Sequence, residues 1–579
     1  MADPEHLPRD RFIRIGNASG FYGDRFSAWR EMLDGGELDV LTGDYLAELT
    51  MLILGRDRRK DPALGYARTF LRQMESCLSR ALDRGVRIVT NAGGLNPAGL
   101  AAALESLAGR LGLPVRIGYV EGDDLTRHPP VAASEAGTGA LTANAYLGAF
   151  GIAACLGGGA EVVVTGRVTD ASLVVGPAIA HFGWGRDDLD ALAGATVAGH
   201  LIECGAQVTG GNFSFFTELP DRGHRPGFPV AELNADGSCV ITKHPGSGGA
   251  VTVETVTAQL LYEIDGPAYL GPDVVTRLDT VTLRSDGPDR VRVTGARGLP
   301  PPATLKVGVN NLGGFRNSMT FVLCGLDIEA KAALVREQVE ESVGREGLKF
   351  VLARTDHADA TDTESASALL HVHLRDRDPR RAGRTFSGAA VELALASYPG
   401  CTLTTLPGDA TPYGVFTAEV IPQDSVPHVA VLPTGERVDI APPECFAGEP
   451  SPPVPQNPPT GAPAPPRTRR APLGDVVGAR SGDKGGDANL GVWARTDPGY
   501  GWLRDWLTVG RLAELLPETA GLQVDRYELP NLRAVNFVIR GLLGQGVAAS
   551  TRFDPQAKAL GELLRSRIVD LPLQPGVRP

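Results

Sequence analysis

From residue 86 to residue 110 the chain reads VRIVTNAGGLNPAGLAAALESLAGR. Its first five residues, Val86 to Thr90, are mostly apolar and β-branched, which fits a short buried strand. Asn, two Gly and a Pro follow, then an alanine- and leucine-rich stretch that predicts a helix over 98–110. The same rhythm recurs on either side. Phe12 to Gly16 runs into NASGFYGD, Val115 to Val120 into EGDD, and Glu161 to Thr165 into GRVTD ahead of another helical stretch. Buried strand, Gly/Asn/Asp-rich loop and helix, repeated in this way, mark an α/β body with a parallel sheet. In such sheets ligands sit outside the carboxyl ends of the strands, where these loops gather.

Beyond about residue 240 the texture changes. Alternating runs at 251–256 (VTVETV) and 291–294 (VRVT) predict antiparallel strands, and a helical span over 328–343 interrupts them. This second half, about 241–448, reads as antiparallel-rich α+β. Proline then takes up roughly ten of the 23 residues from Pro450 to Pro472. Such a stretch favours an extended polyproline spacer. The expected organisation is therefore a main body over 1–448 (about 1–240 α/β), a linker over 449–472, and a small α+β tail domain over 473–579. In the tail, strands are expected near 489–495 and 535–542, and helices near 509–516 and 556–566. The spacer gives the tail a long reach and argues against a fixed seat on the body.

Composition removes several function classes. The chain has 579 residues, 42% hydrophobic and 21% charged, which is ordinary for a folded protein of two to four units. With 68 acidic against 56 basic residues the net charge is −12, so nucleic acid is a poor partner. No run of about 18 apolar residues is present to span a membrane. The opening MADPEHLPRDRFIRIG lacks the apolar core of a secretory signal. Seven scattered cysteines without C-x-x-C spacing fit neither a disulfide framework nor a zinc knuckle. A cytoplasmic protein acting on a small molecule, dimeric by default, is the expectation. G-x-S-x-G, H-E-x-x-H and kinase signatures are absent.

Several loops carry chemistry. In TNAGGLNP, Gly93 and Gly94 let backbone amides approach an anion, and Asn91 and Asn96 can hold a carbonyl or carboxylate; the plainer reading is a tight turn with Asn caps. In VVTGRVTD, Arg167 offers a planar fork for a carboxylate or phosphate, and Asp170 can orient it or act as a base; alternatively the two form an ordinary ion pair. VEGDDL clusters Glu121, Asp123 and Asp124, whose mutual repulsion suits acid–base work or a divalent cation, or simply a solvated loop. In GHLIECGAQ, helical spacing sets His200, Glu203 and Cys204 on one face, for acid–base chemistry or a thiolate nucleophile. His371 and His373 alternate on a strand and read as structural. Arg480, Ser481 and Lys484 in ARSGDKGGDANLG suit a phosphate-bearing ligand, or form a glycine-rich hairpin that docks on the body; the P-loop spacing fails.

The segments IGNASGFYGDR (15–25), LTGDYLAELTM (41–51), TNAGGLNP (90–97), VEGDDL (120–125), ANAYLGA (143–149), VVTGRVTDASL (163–173) and GHLIECGAQVTGGNF (199–213) resemble the acyclic terpene utilisation family, AtuA. ARSGDKGGDANLGV (479–492) resembles the small ferredoxin-like domain often attached to that family. The resemblance implies a setting in which acyclic terpenes are degraded through coenzyme A thioesters, and leaves the reaction open. Together with the loops it leads to an expectation of a hydratase or lyase on a carboxylate- or thioester-bearing molecule. Asp170, Glu121, Glu203 and His200 would be its catalytic groups. Arg167, Asn91, Gly93, Gly94, Asn96, Asp123, Arg480, Ser481 and Lys484 would bind substrate, and the amides of 92–95 would stabilise an enolate-like oxygen. No resident cofactor or metal is assigned; a coenzyme A thioester as substrate and a divalent cation stay open. The alternatives are a non-catalytic scaffold with a docking tail, and an acyl transferase or hydrolase using Cys204.

Overall fold

The computed structural model describes residues 12–133, 135, 139–405, 408–447 and 468–572. Most of the proline-rich segment lies outside them. The chain divides into two compact units. One gathers the described residues up to Asn310, Phe416–Val547 and those from Gln556 on; the other is Asn311–Val415 with Ala548–Pro555. These bounds cut the chain elsewhere than at residue 240 or 448, and the tail domain, apart from Ala548–Pro555, falls in the same unit as the α/β body.

The first unit is built on β1 (Ile13–Asn17), β2 (Val40–Gly43), β3 (Arg87–Thr90), β4 (Ile117–Glu121), β5 (Thr142–Ala145), β6 (Val162–Thr165), β7 (Pro229–Leu233) and β8 (Cys239–Lys243). A parallel centre runs β1-β2-β3-β6-β4. Antiparallel wings extend it, through β7 and β8 beside β1 and through Val429–Val431 beside β4. Alternation along each strand feeds two cores. Ile88, Val162 and Val164 face helices Ala28–Gly35, Arg68–Asp83 and Pro97–Leu111. Val89 and Val163 face helices Phe150–Gly157, Ser172–Phe182 and Leu189–Ile202. Helices thus cover both faces of the centre, so its apolar strands are buried twice.

The helix read over 98–110 is Pro97–Leu111, with Pro97 in its first turn, Asn96 as N-cap accepting from Gly99 N at 2.9 Å, and Gly112 at φ +68° ending it. The strand expected over 251–256 is instead the helix Val253–Leu260. A reciprocal capping box explains the difference: Thr255 N donates to Thr252 Oγ1 (3.2 Å) and Thr252 N to Thr255 Oγ1 (2.9 Å). Six buried residues in succession, Thr255 to Leu260, then let β-branched side chains pack on all sides.

The tail is a four-stranded antiparallel sheet in the order Val477–Lys484, Asp487–Ala494, Ala534–Ile539, Val524–Leu529. Helices Asp497–Trp506, Val509–Leu515 and Leu560–Arg565 share its core. Its first two strands form a hairpin that holds the whole ARSGDKGGDANLG motif. The last residues of the expected linker, Thr468–Pro472, are themselves a strand paired with Ile568–Pro572.

The second unit pairs residues 315–324, 367–376 and 348–353 in an antiparallel sheet. Helix Ile328–Val343, the span read from the sequence, packs there with Phe386–Glu392. His371 and His373 stack with ring centroids 6.5 Å apart, and His371 Nδ1 lies 3.0 Å from Thr320 Oγ1. Among the described residues, no helix is long and apolar enough to cross a membrane.

Candidate functional site

Five residues at the carboxyl ends of four parallel strands form the frame of a buried polar cluster. Asn17 ends β1, Asp44 follows β2, Asn91 follows β3, and Gly166 and Arg167 follow β6. All lie at carboxyl ends of strands, where an open sheet leaves room for a ligand.

The β6 loop is seated on Asp123. Arg167 N and Asn144 Nδ2 both donate to Asp123 Oδ2, at 2.9 and 2.8 Å. A Cβ on Gly166 would lie 2.2 Å from Asp123 Oδ1, so only glycine passes here. Burial pushes the Asp123 carboxyl up to about 7. Its role is therefore to hold the loop. The neighbouring acids point to other partners: Glu121 Oε1 accepts from Arg437 at 2.6 Å, and Asp124 from Arg58 at 2.8 Å.

Arg167 is buried, with its guanidinium 4.2 Å from the centroid of the Tyr146 ring. Nη1 donates to Leu46 O at 3.0 Å, Nη2 lies 2.8 Å from Asp170 Oδ1, and Nε has no hydrogen-bond partner among the described residues. Asp170 keeps 28% of its side-chain exposure, so the cluster opens to solvent there. Beside it, Asp44 Oδ1 accepts from Asn91 Nδ2 (2.6 Å) and Leu46 N (3.0 Å). Burial and the charge of Asp170 push Asp44 well above the usual carboxylate range, against the pull of Arg167.

Asn17 ties the next element in. Its Nδ2 donates to Ile202 O and Glu203 O, at 2.6 and 3.0 Å, where the helix Leu189–Ile202 ends. His200 Nδ1 and Glu203 Oε1 lie 3.0 Å apart, both side chains buried. Burial lowers His200 to about 4 and raises Glu203 well above its ordinary value, helped by the charges of Asp170 and Glu263. Both shifts favour the uncharged form of each partner, with the proton on Glu203. Glu203 Oε2 is buried and has no hydrogen-bond partner among the described residues. The Tyr269 ring lies 5.3 Å from that of His200. Burial, with Glu263 and Glu203 nearby, pushes the Cys204 thiol far up, which disfavours a thiolate.

The tail hairpin closes on this region. Lys484 Nζ donates to Glu263 O at 2.7 Å and lies 5.7 Å from the centroid of Tyr269. Asn489 Oδ1 accepts from Glu263 N at 2.9 Å. Arg480 stacks 4.2 Å from the Tyr262 centroid. Ser481 Oγ instead accepts from Gly561 N and donates to Lys558 O, a link inside the tail. Burial and the charges of Glu263 and Glu48 raise Asp483 to about 8. The seat of the tail on the body thus differs from the free reach expected of a long spacer, because Gly482 and Gly491 let the hairpin backbone lie directly on Tyr262 and Leu261.

Arg167, Asp170, His200, Glu203, Asn91 and Lys484 are thus gathered in one region, with Asp123 beneath. Glu121 is engaged with Arg437, and Asn96 caps a helix. Gly93 and Gly94 serve close packing: a Cβ would lie 2.5 Å from Thr165 O at the first and 2.4 Å from Leu54 Cδ1 at the second. The amides of Ala92, Gly94 and Leu95 donate to Thr90 Oγ1, Asn91 O and Gly65 O, which removes them as oxyanion donors. Sequence reasoning passed over Asp44, Glu48, Tyr146, Tyr269 and Lys306. Asp44 and Glu48 stand in LTGDYLAEL directly after β2, and the strand-end rule applied to that loop would have found them. Among the described residues, no group of three or more His, Cys, Asp or Glu is arranged to hold a metal ion.

No curated protein and no solved structure matches the chain. Two family models do: an AtuA ferredoxin-like domain matches residues 471–570, and the acyclic terpene utilisation family protein AtuA matches residues 13–432. With loops, sheet and tail all within those spans, the chain belongs to the acyclic terpene utilisation family, AtuA.

Proposed function

We propose that the chain is an enzyme that adds or removes water on a carboxylate- or thioester-bearing small molecule of terpene or related acyl catabolism. The observation that carries this reading is the buried cluster itself. Arg167 Nε, Glu203 Oε2 and Glu48 Oε2 are buried polar atoms without hydrogen-bond partners among the described residues, in one region fed by four strand ends. Each such atom costs about 1–3 kcal/mol when nothing fills it, so a site that retains three of them together is built for a ligand.

The chemistry follows from where these groups stand. Asp170, held by Arg167 and reached by solvent, takes the proton from the carbon next to the carbonyl. The electron pair left behind moves toward the carbonyl oxygen, where Arg167 Nε–H can receive the developing charge. Glu203, kept protonated by burial, delivers its proton to the departing hydroxyl. The C–O bond breaks, the double bond forms, and one water leaves. Hydration is the reverse. His200, bound to Glu203 through Nδ1, orients that carboxyl.

The test is mass spectrometry of the purified protein with a panel of enoyl and 3-hydroxyacyl coenzyme A thioesters. Gain or loss of one water by the wild type, absent in a folded Asp170→Asn protein, is expected. No conversion of any member by a folded wild type would sink the reading. A cysteine-dependent transferase or hydrolase gains no support from Cys204, whose thiol is held protonated.

A further inference from the structure

Lys306 stands beside the cluster, without an ion-pair partner among the described residues. It lies in the strand Thr304–Cys324, one residue before the stretch Val307–Asn310 that pairs with β5. Its ammonium is 4.9 Å from the centroid of Tyr146, the same ring that Arg167 covers, and 5.5 Å from that of Phe416. Among the described residues its ammonium makes no hydrogen bond or ion pair, while its backbone carbonyl accepts from Tyr146 N at 2.9 Å, and the residue is open to solvent. A lysine ammonium has three donors to place; here aromatic faces hold it and leave those donors unused.

The tail brings a second cation to the same place. A Cβ on Gly485, at the turn of the hairpin, would lie 3.5 Å from Phe416 Cε1 and 3.8 Å from Glu48 Oε1. Lys484, one residue earlier, is anchored through Glu263 O and approaches Asp265 Oδ2 at 3.5 Å. Body and tail therefore each contribute one ammonium around Glu48, Phe416 and the aromatic rings of Tyr146 and Tyr269. Two ammonium groups brought together in this way can hold an anion by charge-assisted hydrogen bonds.

We propose that Lys306 and Lys484 form an anion-binding subsite, assembled jointly by the body and the tail domain, for a carboxylate or phosphate group of the substrate remote from its reacting carbon. This rests on the acid–base reading for where the reacting carbon lies. The subsite explains why the tail is part of the unit that holds the cluster: without the hairpin, one of its two cations is missing.

The test is calorimetric titration of the full-length protein, at low ionic strength, with inorganic pyrophosphate and with succinate as probes. At least one probe should bind the wild type, and Lys306→Met and Lys484→Met should each weaken it at least roughly tenfold. Lys306→Arg should keep most of the affinity, and Lys349→Met, in the other unit, should bind as wild type does. Binding of pyrophosphate alone assigns a phosphate, and of succinate alone a carboxylate. Failure of both probes, or wild-type affinity in either Lys→Met protein, overturns the proposal. Should Lys306→Met not fold, Lys306→Gln takes its place and is read the same way. Asp170→Asn should bind the probes normally while losing turnover, so failure of the subsite and failure of the acid–base reading are told apart.

Discussion

Gly166→Ala gives the sharpest test of how the site is held. The added Cβ would sit 2.2 Å from Asp123 Oδ1 and 2.7 Å from its Cγ. That carboxyl has nowhere to retreat, because its other oxygen receives Arg167 N and Asn144 Nδ2. Gly166 has no positive φ, so the contact alone sets the cost, about 1–3 kcal/mol as for other overpacked sites. Relief by displacing the loop moves Arg167, and a shift of about 1 Å at a reacting centre costs about a hundredfold in rate. Asp123→Ala should also be destabilising, by about 1–3 kcal/mol for each donor it strands. The informative protein is the double variant: with the carboxyl gone, Gly166→Ala should cost almost nothing more. Urea unfolding midpoints at unchanged m would read the cycle. If the two costs simply add, the carboxyl is not what excludes a side chain at 166, and the account of the loop's seat is wrong.

Further expectations concern charge, the thiol and the tail. His200, at about 4 when folded against 6.5 unfolded, binds its proton more readily in the unfolded chain, so its contribution to stability is lost as pH falls from 6.5 toward 4. Asp123, at about 7 when folded, acts oppositely: its contribution is lost as pH rises from 3.8 through 7, and Asp123→Asn should flatten that part of a melting-temperature profile. Because Cys204 is held as a thiol, Cys204→Ala should keep turnover within severalfold, and alkylation at neutral pH should be slow; inactivation by the substitution would restore the nucleophile reading. Gly482→Val puts a Cβ 2.3 Å from Tyr262 Cε2 and should split one thermal transition into two while weakening probe binding; an unchanged melt would contradict the docked hairpin.

Local signals in the sequence carried the α/β half well. VRIVT and EVVVT are short enough and apolar enough to be buried strands, and Asn96, Pro97 and Gly112 bracket a helix by their own chemistry. VTVETV misled because alternation over six residues is compatible with a capped helix, and two threonines decided the matter by bonding each other's backbone. Strand Val477–Lys484 was hidden by its glycines and charges, which mark a backbone that packs flat on Tyr262 and Leu261 rather than a loop. Arg167, Asp170, His200 and Glu203 stood out as candidates because they follow strands or share a helical face. The shifts of His200 and Glu203 did not, since burial and distant neighbours such as Glu263 set them. Lys306 was illegible for the same reason: its meaning depends on Tyr146 and on a tail residue, Lys484, that folding alone brings near.

The most direct measurement of the central claim, that this cluster moves a proton at the carbon beside a carbonyl, is hydrogen exchange in D2O. Saturated, enoyl and 3-hydroxyacyl coenzyme A thioesters would be incubated with the full-length protein and weighed for deuterium at C2. The account predicts incorporation by the wild type that disappears in Asp170→Asn at unchanged fold. No deuterium in any thioester, or equal incorporation by the Asp170→Asn protein, would contradict it.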